Sequence, residues 1–126
     1  MTERELKDRS KCIAHRCVKL ALKLPDTLLG KHISGQLIRC STSVAANYRA
    51  TCLAQSQASF VSKISIVIEE CDEVEFWLEF IIDAELMSKE RISDLIKEAN
   101  ELSRIFISSR KTVSDKIKNQ KSKIKK

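Results

Sequence analysis

Gln36-Leu37-Ile38-Arg39-Cys40-Ser41-Thr42-Ser43-Val44-Ala45-Ala46-Asn47-Tyr48-Arg49-Ala50 is the stretch whose reading decides the fold. It has an arginine near each end and almost nothing bulky between Ile38 and Tyr48. A helix built from Cys, Ser, Thr and Ala lets neighbouring helices approach closely. Its polar atoms can still bond backbone or side chains across the contact. Ile33, Leu37, Cys40, Val44 and Tyr48 form its apolar stripe, which predicts a helix over about 31–54. This is a packing element in the middle of a helical body.

Outward from it, the same periodicity recurs. Leu6, Ile13, Cys17, Leu20 and Leu24 make a seam that predicts a helix over about 3–24, with Lys7, Lys11, Lys19 and Lys23 on a wet face. Pro25 ends it, because proline disfavours helical geometry in the residue before it. After the polar run Gln55-Ser56-Gln57, a third helix is expected over about 57–87. Its seam is Phe60, Ile64, Val67, Cys71, Val74, Leu78 and Ile81. Ser88 is a good N-cap for a last helix. The seam of that helix, Ile92, Leu95, Ala99, Leu102, Phe106, Val113 and Ile117, continues to about residue 117. Residues 118–126 have too little apolar surface to dock and are expected to fray. Four helices with short links make an all-α, antiparallel up-down four-helix bundle the default. The domain is then residues 1–117, followed by a basic tail at 118–126.

Helix three carries a second apolar set. Ile66, Trp77, Phe80 and Ala84 cluster about a quarter turn from the core seam, with Glu70 and Glu73 among them. One bundle core cannot take both stripes, so the second is expected to face another subunit.

Only two glycines and one proline among 126 residues fit long helices joined by short turns. Charge is unevenly placed. Residues 110–126 hold eight Lys and Arg against the single acid Asp115, a net of +7 that leaves −1 on the other 109 residues. Five cysteines, with no Cys-x-x-Cys pair and no signal peptide, point to a reducing cytoplasm in which cysteine serves as a small hydrophobe. No apolar run approaches membrane-spanning length.

The order Leu24-Pro25, then Gln36-x-x-Arg39, then Ser43-Val44-x-x-Asn47, then Glu73-Val74-Glu75-x-x-Leu78, resembles a bacterial family. These are the small four-helix proteins encoded within intervening sequences of 23S ribosomal RNA, also called S23-type ribosomal proteins. The chain departs from their pattern where Arg49-Ala50-Thr51 replaces Ala-Glu-Gly, and where Glu69-Glu70 replaces Gly-Ser. The family is similar in fold to the accessory variability proteins of diversity-generating retroelements. The resemblance therefore implies a ring-like homo-oligomer, a pentamer. It also implies an RNA or DNA partner, a reverse transcriptase or ribosomal partner, and no enzymatic activity.

Arg39 lies close to an apolar stripe. A buried guanidinium must be paired, and its planar fork suits a carboxylate, with Glu70 or Glu73 as the natural partner. Asn47 reads as a hydrogen-bonder within its helix. Cys12, His15 and Cys17 spread over more than half of one helix's circumference, which does not suit a tetrahedral metal site. The acids between Glu69 and Glu85 lack the Glu-x-x-His pairs of bundle metal centres. No metal, cofactor or catalytic residue is expected.

Arg110, Lys111, Lys116, Lys118, Lys121, Lys123, Lys125 and Lys126 are the candidate nucleic-acid contacts. Basic segments attract phosphate without reading sequence, and no aromatic residue is at hand there to stack bases. The competing readings are a solubilising end and a protein-interaction module that contacts no nucleic acid.

Overall fold

The structure, a computed structural model, describes residues 1–124. Among the described residues it is four α-helices with no strand: α1 (Glu3–Ala21), α2 (Leu28–Thr51), α3 (Gln57–Asp83) and α4 (Lys89–Ile124). Three of the helices start on a hydroxyl cap. Thr2 accepts from the Glu5 amide at 3.1 Å, Thr27 from Gly30 at 3.0 Å and Ser56 from Ser59 at 3.0 Å.

The ends of the elements differ from the sequence expectation for local reasons. α1 stops at Ala21 rather than 24, because the chain tightens there: the Lys23 and Leu24 amides donate to the Leu20 and Ala21 carbonyls. α2 begins three residues before the expected 31, because Thr27 caps it. Gly30 makes this early start possible. A methyl group at its Cα would run into the Pro25 carbonyl. α3 closes at Asp83, four residues before the expected end, through a left-handed Glu85 at φ 57°. There the Leu86 amide donates to Ile81 and the Glu85 amide to Ile82, the bond pair of a Schellman cap. α4 runs on to Ile124, past the expected end at 117.

One core joins all four helices. Every stripe residue of α2 is buried, as are Ile64 to Ile81 of the α3 seam and Ile92 to Phe106 of the α4 seam. Leu24, Phe60, Val113 and Ile117 are only half-buried, since the seams run past their partners at the helix ends. Each helix packs on the next in chain order, and α1 meets α4 across a narrower contact. The small residues of α2 allow its close packing. Their hydroxyls bond backward along the helix rather than across it: Thr42 donates to Ile38 at 2.7 Å and Thr51 to Asn47 at 2.7 Å.

Candidate functional site

Arg39 points from α2 toward α3. Its Nη1 donates to Glu70 at 3.2 Å, Nη2 pairs with Glu73, and Nε reaches Gln36 at 3.4 Å. Both expected partners are thus engaged at once. The expected burial is absent, however, because the arginine side chain keeps 46% exposure. Cys40 and Ser41 turn into the core, while Arg39 stays on the rim between the two helices. Asn47 donates to the Ser43 carbonyl at 2.9 Å, one turn back on α2.

The second face of α3 is open. Ile66 and Phe80 are exposed, and Trp77 and Ala84 are half-buried. Trp77 is the centre of an aromatic cluster, edge-on to His32 of α2 with ring centroids 5.6 Å apart. Phe76 stands edge-on to Trp77 at 4.9 Å, and Phe80 lies 5.9 Å from it. Among the described residues, the Trp77 indole Nε1 is buried without an acceptor. Phe76 was missed in the sequence, although its neighbour Trp77 was singled out. Phe76 lies at the edge of the stripe, and its 52% exposure breaks the expected alternation. His32 was weighed only as a fourth metal ligand, and the packing of α2 on α3 makes it part of this cluster instead.

The basic residues of α4 divide into two groups. Arg110 is half-buried and donates to Ser65 of α3 at 3.3 Å, and Lys111 pairs with Asp115 at 3.0 Å. Lys116, Lys118, Lys121 and Lys123 are exposed on the last turns of the helix. Lys125 and Lys126 lie outside the described residues.

The thiols are placed for packing. Cys17, Cys40 and Cys71 are buried in the core. Burial pushes Cys17 and Cys71 up to about 12 and Cys40 up to about 11, which suppresses the thiolate that nucleophilic chemistry needs. Cys12 and His15 are exposed and turn away from Cys17. Among the described residues, no group of three or more His, Cys, Asp or Glu is arranged to hold a metal ion. No helix among them is long and apolar enough to cross a membrane.

An all-helical four-helix protein with a paired Arg39, an open aromatic face on α3 and a basic last helix is the class that the geometry defines. The chain belongs to the 23S rRNA-intervening sequence protein family, which matches residues 3–108. It is also similar to a solved protein of unknown function from the S23 ribosomal protein family of Bacteroides thetaiotaomicron VPI-5482. The two share 32% identity with a TM-score of 0.76, over 84% of this chain and 98% of the other. No curated protein matches the chain.

Proposed function

We propose that the protein is a non-enzymatic homo-oligomer of antiparallel up-down bundles that associates with nucleic acid in the cytoplasm. The observation that carries this reading is the length of α4. It has 36 residues against 19, 24 and 27 in the other helices, and its last turns leave a series of lysines exposed. A helix of that length spans about 54 Å. Several copies around one ring would multiply weak phosphate contacts into useful avidity. The family resemblance implies a pentamer, and the open α3 face supplies a surface for it. The names of the family and of its solved relative support a nucleoprotein setting, with a ribosomal component or a reverse transcriptase as the protein partner.

A scaffold that contacts no nucleic acid is the second reading, favoured by the aromatic cluster around Trp77. Retention of mixed RNA or DNA separates the two. At ~50 mM salt the full-length protein should retain nucleic acid, and log K should fall steeply with log salt. Deleting residues 118–126 should flatten that slope and leave assembly intact. No retention at low salt overturns the nucleic-acid reading and leaves the scaffold. In sedimentation, Trp77→Ala should shift the protein toward monomer, and a wild-type protein monomeric at high concentration overturns the ring.

A further inference from the structure

We infer that the groove between α1 and α2 binds the phosphates of a single nucleic-acid strand. The groove has a volume of about 670 Å³, within the range of pockets that take a ligand. Arg4, Lys7 and Lys11 line its α1 wall and Arg49 its α2 wall, against one lining acid, Asp8. The spacing of three and four residues puts the α1 cations on one helix face.

These charges are available to a ligand. Arg4 meets Asp8 at 3.5 Å and Lys7 meets Glu3 at 3.6 Å, both as exposed pairs within one helix. Such pairs hold their partners weakly, so a phosphate can displace the carboxylate. Among the described residues, Lys11 and Arg49 make no ion pair. Ala14, Ala45 and Ala46 keep the floor low. Thr42, also on the floor, already donates its hydroxyl to the Ile38 carbonyl. A strand can therefore lie there without stranding a hydroxyl.

The shape selects the occupant. Packed helix axes are about 8–10 Å apart, less than the roughly 12 Å width of a DNA major groove. A single strand fits between the ridges, whereas a duplex would ride on the rims. His15 is the only ring among the lining side chains, so the groove grips the backbone and does not stack bases. The groove also opens toward the basic helix. Arg49 follows Tyr48, whose ring lies 5.1 Å from Phe106, about one helical turn before Arg110. A strand leaving the groove at Arg49 meets the start of the basic part of α4. The identity of the strand rests on the nucleic-acid reading above, whereas the cationic walls stand independently of it.

Lysine acetylation read by mass spectrometry tests the inference on the full-length protein, with a short mixed-sequence RNA and with inorganic tripolyphosphate as probes. RNA should protect Lys7 and Lys11 several-fold while Lys31 and Lys63 stay reactive. Lys11→Gln with Arg49→Gln should weaken RNA binding about tenfold and reduce the salt slope by about two, one unit per lost phosphate contact. RNA that is retained but protects only the lysines of α4 overturns the groove and leaves the nucleic-acid reading standing. RNA that is not retained, with tripolyphosphate protecting Lys11, overturns the strand as occupant together with the nucleic-acid reading. Protection already present without any probe, and lost on dilution, makes a second copy the occupant and overturns the inference.

Discussion

Arg9 of α1 and Glu98 of α4 meet as a forked pair, Nε donating to Oε2 at 3.1 Å and Nη2 to Oε1 at 2.6 Å. Glu101 adds a second carboxylate at 3.3 Å. The hydrogen bond to Glu98 raises the guanidinium further above its ordinary range. The pair clamps the first helix to the last where their contact is narrow. Both side chains keep 23% exposure, so the pair is neither fully wet nor fully desolvated.

Arg9→Ala should therefore destabilise the protein by about 1.5–3 kcal/mol, the range for hydrogen bonds to charged groups. Arg9→Lys should recover part of the loss, since an ammonium keeps the charge but not the fork. The midpoint of urea unfolding measures both. A shift no larger than that of an ordinary surface change would show that the core alone holds α1 to α4.

Arg39 should behave differently, although it engages two glutamates. Sequence reasoning placed it in a buried pair, for which removal costs about 3–5 kcal/mol. At 46% exposure the loss in Arg39→Ala should be about 1 kcal/mol or less, and should shrink further in high salt. Unfolding at two ionic strengths checks this. A loss of several kcal/mol that is indifferent to salt would mean that the pair is covered in the assembled protein.

Three backbone substitutions should act with opposite signs. Gly30→Ala pushes a methyl into the Pro25 carbonyl and should destabilise by about 1–3 kcal/mol. Gly35→Ala meets nothing within 4 Å and should stabilise by about 0.5–1 kcal/mol through helix propensity. Glu85→Gly, at φ 57°, should also stabilise, by relieving the cost of a side chain in the left-handed region. Thermal melts of the three variants give the order directly.

The core thiols set an alkaline limit. In the folded protein Cys17, Cys40 and Cys71 stay protonated to about 12, 11 and 12, whereas their ordinary value is 9.0. The unfolded chain thus binds fewer protons than the folded one above that ordinary value. Stability is fully present below about pH 9 and falls as pH rises toward 11 and 12. Cys40→Ala should soften the fall between about pH 9 and 11 in a series of urea melts. In native protein, iodoacetamide should label exposed Cys12 first and reach Cys17, Cys40 and Cys71 only on unfolding.

The helices were legible in the sequence because their seams have one period and one core. Ile64 to Ile81 recur every three or four residues, and each of those seam residues is buried. The ends were less legible. Proline at 25 marks where α1 cannot continue, but the chain leaves the helix earlier through local bonds that no residue type announces. Thr27 did announce the start of α2, and it was read as part of a connection instead. Arg39 was placed correctly against Glu70 and Glu73, because all three lie on facing edges of consecutive helices. Its exposure was not readable, since that depends on how far the neighbouring helix covers the rim. Arg9 and Glu98 were not foreseen at all. They are 89 positions apart, and only the closure of the fourth helix on the first brings them together.

Trp77 is the chain's single tryptophan, and it lies on the outer face of α3 rather than in the core between the helices. The molecule thus has an intrinsic optical probe at its open aromatic face. Its emission wavelength will follow the polarity around the indole. A subunit or partner that covers Phe76 and Phe80 will shift that emission to the blue with no dye attached. Association can therefore be titrated by ultraviolet fluorescence on unmodified protein.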